Sequence, residues 1–194
     1  MFINGDFSKI DVGTVDAIIT DPPYAREYWY LYKNLGDLAE RCLKDQGWLL
    51  AIVPQYGLVE TISMVSRPNL RQWWCSAMVM PEPPHARMRL KGMIVKWKPI
   101  CVWLKGNWTG KLGYRPDMFL NNPPEQNQHP QGWEQSIDWA RYCVANFSRE
   151  GDTVLDPMMG VGTIGIACRE LNRNFIGIEI DKKTCEIAAA VAQR

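Results

Sequence analysis

Short β-branched apolar runs alternate along this chain with longer stretches whose apolar residues recur every three or four positions. Phe2 to Asn4 and Val15-Asp16-Ala17-Ile18-Ile19-Thr20 read as strands, the second of them buried. Tyr28 to Leu43 has helical spacing and ends before Gly47, and Trp48 to Val53 follows as a strand. Gly57 to Val65 is predicted as a helix closed by Pro68. Gln72 to Met80 and Ile94 to Leu104 are predicted as the two strands that complete a sheet. Gly106 to Gln128 is polar, rich in Pro and Asn and without period, which predicts a long loop. Glu134 to Phe147 reads as a helix, followed by a strand ending at Asp156, a helix from Ile164 to Leu171, a strand from Asn174 to Asp181 and a last helix from Lys182 to Ala192. Strands alternating with helices predict an α/β fold: one domain over 1–194 with a doubly wound, mostly parallel sheet, and ligands at the strand carboxyl ends.

Composition narrows the class. A chain of 194 residues with 46% hydrophobic content can bury a real core. No apolar run reaches membrane-spanning length and no basic-then-apolar leader opens the chain, so a cytoplasmic protein without a membrane partner is expected. The six cysteines are scattered singly, with no Cys-x-x-Cys and only His85 and His129 as histidines, which predicts reduced core thiols and no zinc cluster. Of the nine tryptophans, Trp48, Trp73, Trp97 and Trp103 fall in predicted strands and are expected in the core. Trp29 and Trp133 are placed to border a site, with core filling as the plainer alternative.

Two segments carry chemistry. Asp21-Pro22-Pro23-Tyr24 directly follows a predicted strand. Two prolines fix φ and remove two N–H donors, so the backbone leaves the sheet as a stiff turn bearing a carboxylate, carbonyl acceptors and an aromatic face. That set suits a planar group with an exocyclic amine; the alternative is a proline turn with a helix-capping Asp. The second segment, Gly151 to Thr163, reads as turn, strand, Gly-rich loop and helix start, with Thr163 as the helix cap. Glu179, at the end of the next strand, can accept from both hydroxyls of a ribose. Gly160 to Gly165 also spells G-x-G-x-x-G, the dinucleotide fingerprint. Asp156-Pro157 argues against a nicotinamide cofactor, because it sets a negative charge where a pyrophosphate would sit.

With both segments in hand, the chain resembles the amino-methyltransferases that modify exocyclic amines of DNA bases with S-adenosylmethionine. Asp21 to Tyr24 is similar to their catalytic motif and Asp156 to Thr163 to their cofactor loop, in an order similar to the permuted β-type arrangement. Asn4-Gly5-Asp6, Leu43 to Leu50, Trp97-Lys98-Pro99-Ile100, and His129-Pro130 with Trp133 to Ser136 extend the likeness over nearly the whole chain, closest to small orphan or phage-borne members. The resemblance implies a Rossmann-like class I methyltransferase sheet with one antiparallel strand. It implies catalytic roles for Asp21, Pro22, Pro23 and Tyr24: Asp21 and the Pro22 carbonyl accept the amine hydrogens, and Tyr24 stacks on the base. It implies cofactor contacts from Asp6 to the adenine, from Asp156, Pro157, Met158, Gly160, Gly162 and Thr163 along the loop, from Glu179 to the ribose, and from the His129 segment. Relatives often continue His-Pro-Thr-x-Lys-Pro, which this chain does not, and Met158-Met159 replaces their usual Phe-x.

The implied reaction is methyl transfer to adenine N6 in double-stranded DNA by direct displacement on a flipped base, with no metal. An initial Asp in the motif goes mostly with adenine in the resembling families, while N4 of cytosine and RNA amines are the nearest alternatives. A nucleotide-cofactor oxidoreductase and a non-catalytic cofactor-binding subunit are the rivals of another class. A net charge of +1 does not announce DNA binding, but Arg87, Arg89, Lys91, Lys96 and Lys98 cluster without an intervening acid and can neutralise phosphates. Loops 82–92 and 106–128 are the candidate DNA-recognition segments. Relatives are often dimers, so a homodimer is compatible with this reading.

Overall fold

Val15, Ala17, Ile18, Ile19 and Thr20 are all fully buried, because helices cover both faces of the sheet they lie in. The computed structural model describes residues 1–80, 86–88, 92–110, 114–121 and 137–192, with backbone alone at 86–88. Along the chain these form β1 (Phe2–Asn4), β2 (Val15–Thr20), α1 (Tyr30–Cys42), β3 (Leu43–Ile52), α2 (Leu58–Val65), β4 (Leu70–Val79), β5 (Ala86–Met88) and β6 (Met93–Val95). There follow β7 (Trp97–Lys105), β8 (Met118–Leu120), α3 (Ile137–Phe147), β9 (Thr153–Asp156), α4 (Thr163–Glu170), β10 (Asn174–Glu179) and α5 (Lys182–Ala192).

Eight strands make one sheet in the order β1-β10-β9-β2-β3-β7-β4-β8, and β5 pairs with β6 as a separate hairpin. β7 runs against both β3 and β4, and the other neighbours in the large sheet are parallel. The expected doubly wound sheet with one reversed strand is therefore present. Alternation along β2 splits the core: Ile18 packs with Tyr32, Leu35 and Leu38 of α1 on one face, while Ile19 packs with Trp139 and Val144 of α3 and Ala167 of α4 on the other. Because β2 is followed by α1 on one face and β9 by α4 on the opposite face, the adjacent carboxyl ends of β2 and β9 form a topological switch point.

Several expectations need correction. β3 begins at Leu43 rather than Trp48: its pairing with β2 jumps from Leu43 to Trp48, and the intervening turn uses Gln46 at φ 64°. The single strand expected over Ile94 to Leu104 is divided between β6 and β7. The expected loop from Gly106 to Gln128 contains β8, which joins the edge of the sheet beside β4. Trp103 and Trp48 are buried as expected, but Trp73 is 48% exposed and Trp97 39% exposed. Trp73 is the extra residue of a bulge, since the partners in β7 step from Gln72 opposite Trp103 to Trp74 opposite Val102. Trp97 opens β7 at the rim of the sheet. Of the six thiols, all are buried except Cys75. The part of the predicted helix before Ile137, including Glu134, lies outside the described residues, as does Trp133. Among the described residues no helix is long and apolar enough to cross a membrane.

The two tryptophans should differ sharply on truncation. Trp103→Ala should cost about 3–5 kcal/mol of unfolding free energy, while Trp73→Ala should cost well below that, as read from urea denaturation midpoints.

Candidate active site

At the switch point lies a cavity of about 350 Å³, within the usual range for small-molecule sites. Four separate stretches converge on it: Gly5, Asp6 and Phe7 after β1, Asp21 and Pro23 after β2, Pro157 and Met158 after β9, and Glu179 and Ile180 at the end of β10. Tyr28 from the 3-10 turn and Tyr30, Leu31 and Asn34 from the start of α1 close the wall. A cleft of about 450 Å³ beside Arg169 and Arg173, and another of about 500 Å³ beside Lys44 and Arg149, contain none of the predicted site residues.

The proline turn is built as its sequence requires. Pro22 is buried and Pro23 exposed, so the chain crosses the end of the sheet and turns out toward the 3-10 turn at Arg26–Tyr28. The Tyr24 hydroxyl donates to Asp21 Oδ1. Its carbonyl accepts from Trp29 Nε1 at 3.1 Å and from the Tyr56 hydroxyl at 2.5 Å, which pins the turn from below. Trp29 is itself a core residue, 7% exposed, and this indole bond is what ties it to the site. Lys98 Nζ donates to the Tyr24 hydroxyl oxygen at 3.0 Å and lies 4.8 Å from the centre of its ring. The sequence cluster that joined Lys98 to Lys96 is thereby divided: Lys96 is exposed, and Lys98 is half-buried against Tyr24.

The glycine loop is held by acids. Gly160 and Gly162 adopt φ of 52° and 90°, left-handed conformations that suit glycine. Gly162, not Thr163, is the residue at the start of α4; no side chain caps that helix, which corrects the expected role of Thr163. Glu179 joins the loop to β10, with Oε2 accepting from the Gly160 N–H at 3.0 Å and Oε1 from the Asp181 N–H at 2.9 Å. Asp181 accepts from the Thr184 N–H and hydroxyl, both at 2.7 Å, and so caps α5 instead of extending the strand. Asp6 accepts from the Ser8 N–H and hydroxyl, which together with Lys9 holds its carboxyl below the usual carboxylate value.

Asp156 is 3% exposed and lies under the loop, not at its mouth. Its carboxylate accepts from the Met158 N–H at 3.1 Å. Burial pushes its pKa up to about 7, and the nearby carboxylates of Asp21 and Glu179 push the same way. Desolvation is the largest influence on this carboxyl.

Of the expected site residues, Asp6, Asp21, Pro23, Pro157, Met158 and Glu179 line the cavity, and Asp156 and Gly160 adjoin it through Met158 and Glu179. His129, Arg89 and Lys91 lie outside the described residues, as does the Arg87 side chain. Sequence reasoning missed Phe7, Tyr28, Tyr30, Leu31, Asn34 and Ile180 as wall residues. The spacing of Tyr28, Leu31 and Asn34 on one helical face just after the proline turn was the available signal. Among the described residues there is no group of acidic, histidine and cysteine side chains able to hold a metal.

The raised pKa of Asp156 gives a signed prediction. Between the ordinary value of 3.8 and about 7 the unfolded chain releases this proton while the folded chain keeps it, so the contribution of Asp156 to stability falls as pH rises through that window. Asp156→Asn keeps the acceptor for Met158 and should gain stability relative to the parent chain across the same window. Denaturation midpoints of the two proteins that stay parallel with pH would contradict this.

Comparison with known proteins agrees with the geometry. A sequence profile described as DNA methylase matches residues 102–190, and another described as an RMKL-like methyltransferase domain matches residues 1–73. The chain is 35% identical to the type II methyltransferase M.BglII of Bacillus subtilis over 233 aligned positions, which cover 90% of this chain and 62% of that one. It is 38% identical to M.SmaI of Serratia marcescens over 69 residues, covering 36% of this chain and 23% of that protein. The chain thus spans less than two thirds of the length of these relatives. The alignment with M.BglII is longer than the 194 residues here, so that relative carries internal segments absent from this chain. The structure of the M1.HpyAVI–SAM complex superposes with a TM-score of 0.79 at 22% identity, covering 97% of this chain and 96% of that one. PvuII DNA methyltransferase (cytosine-N4-specific) superposes at 0.77 with 13% identity, covering 96% and 83%. The fold is therefore the Rossmann-like class I methyltransferase fold, and over residues 102–190 the sequence is similar to the DNA methylase family.

Proposed function

We propose that this chain transfers a methyl group from S-adenosylmethionine to the exocyclic N6 amine of adenine in double-stranded DNA. The observation that carries the reading is the single cavity shared by the Asp21 turn, the loop after β9 and Glu179. Its residues suit the cofactor: carboxylates of Asp6 and Glu179 for amine and hydroxyl donors, and apolar walls from Phe7, Met158 and Ile180 for a purine. When bound there, S-adenosylmethionine supplies an electrophilic methyl on a cationic sulfur. The crowding of Asp21, Asp156 and Glu179 favours a cationic ligand at this end of the sheet.

The protein's part is mainly positioning. An aromatic amine is a poor nucleophile because its lone pair is delocalised into the ring. Hydrogen bonds from its two hydrogens to the Asp21 carboxylate and the Pro22 carbonyl favour the tetrahedral form, in which the lone pair is localised. A carboxylate offers about four acceptor directions, so Asp21 can serve the Tyr24 hydroxyl and an amine together. The nitrogen forms its bond to the methyl carbon as the bond to sulfur breaks, and Asp21 receives the proton that the nitrogen then sheds. Alignment of the two reacting atoms is the main source of rate. The target base leaves the duplex at a cost of a few kcal/mol, offset in part by stacking on the Tyr24 ring. Lys96, which is exposed, and the basic residues of loop 82–92 are the proposed phosphate contacts.

Asp21→Ala should reduce methyl transfer to DNA by at least about a thousandfold while cofactor affinity, measured by calorimetry, stays within about threefold. Retained transfer in this variant would end the assignment. Methylome sequencing of DNA from cells expressing the chain should report N6-methyladenine at a short recurring sequence. N4-methylcytosine instead would move the target to cytosine, and label appearing only in RNA would reject the DNA substrate.

A further inference from the structure

Lys98 is brought to the site by the one reversed strand of the large sheet. β2, β3 and β9 end at one edge of the sheet, and β7, running the other way, begins at that edge: Ile100 pairs with Ile52 at the end of β3, and the Val53 N–H donates to the Pro99 carbonyl at 3.1 Å. Lys98, still paired with Met78 of β4, thus lies beyond the last β3 pair, and its side chain reaches Tyr24 of the proline turn. Its ammonium makes two contacts with one side chain, a 3.0 Å hydrogen bond to the Tyr24 hydroxyl oxygen and a 4.8 Å approach to the ring centre. Tyr24 in turn donates to Asp21 Oδ1. The chain of donors runs in one direction, from ammonium to phenol to carboxylate. Each bond polarises the next, so the phenol is a stronger donor to Asp21 than it would be alone.

From this geometry we propose that Lys98 is a positioning residue for the methyl-transfer reaction proposed above. It fixes the Tyr24 phenol, and through it orients the Asp21 carboxylate, for the incoming amine. A carboxylate held at one oxygen has the direction of its second oxygen set, which is what a nucleophile aligned to a methyl carbon requires. The competing role for a lysine here is a DNA phosphate contact, and the two roles make opposite predictions.

The test is a double-mutant cycle on the full chain with Lys98→Met, Tyr24→Phe and the pair together. Single-turnover methyl transfer should slow by about tenfold in each single variant and by no more than about threefold further in the pair, because both remove one linkage. Lys98→Arg should recover part of the loss. DNA affinity measured by anisotropy across salt concentration should keep its slope in Lys98→Met. Losses that multiply to about a hundredfold, or a salt slope reduced by about one, would overturn the proposal in favour of a phosphate contact. A readout independent of turnover is the fluorine resonance of Tyr24 in 3-fluorotyrosine-labelled protein, assigned by its absence in Tyr24→Phe. It should move in Lys98→Met, and an unmoved resonance overturns the inference whatever the activity. A parent chain that transfers no methyl group, with the resonance still moving, would instead reject the proposed function.

Discussion

Two register pairs, Ala17 with Val154 and Ile18 with Leu155, join the early part of the chain to its last quarter in the middle of the sheet. The Asp16 carboxylate continues this pairing below the strand, accepting from the Thr153 N–H at 2.9 Å. Because β2 and β9 are parallel neighbours, the segments leaving their carboxyl ends emerge at the same edge of the sheet. The proline turn and the glycine loop are more than a hundred residues apart in sequence, yet both open onto one cavity for this reason. The next helices, α1 and α4, go to opposite faces, and the cavity lies in the gap they leave.

That edge gathers negative charge, and the fold handles each carboxylate differently. Glu179 uses both oxygens on backbone N–H groups, which fixes the glycine loop against β10. Asp156 is buried, and desolvation brings it close to half-protonation at pH 7. Asp21 stays half-buried and is bonded to Tyr24. Glu179 is tied to the backbone at the cavity wall, Asp156 is buried, and Asp21 keeps partial exposure. The difference comes from burial and hydrogen bonding, since the three side chains have almost the same intrinsic chemistry.

The reversed strand contributes a further element. A wholly parallel sheet places strand ends, and hence loops, at its ligand edge; one strand running the other way brings a strand beginning there. In this chain that beginning is Trp97-Lys98-Pro99, and its lysine meets the proline-turn tyrosine 74 residues earlier in sequence. The bond to the Tyr24 carbonyl from Trp29 holds the same residue from the opposite core, and the exposed Tyr56 adds a second bond to that carbonyl. Tyr24 is thus where the two hydrophobic layers and the charged edge meet.

The α/β alternation, the strands at Val15 and Asn174, the last helix and the two motifs were legible because each is a local property: β-branched runs, helical spacing, paired prolines and glycines with positive φ. Local pattern was therefore enough for the doubly wound fold class and for Asp21 and Glu179, while Asp6 was picked out by the family resemblance; all three acids line the cavity. It misplaced Trp73, since a bulge shifts the alternation by one residue and leaves no mark in composition. It grouped Lys98 with Lys96 because they are near in sequence, whereas strand direction set them in different environments. Tyr28, Tyr30, Leu31 and Asn34 looked like an ordinary helix start until the sheet showed what α1 faces. These points were settled by the folded arrangement, because strand order and direction are fixed by contacts between segments, and neighbouring residues carry no information about which distant strand they will meet.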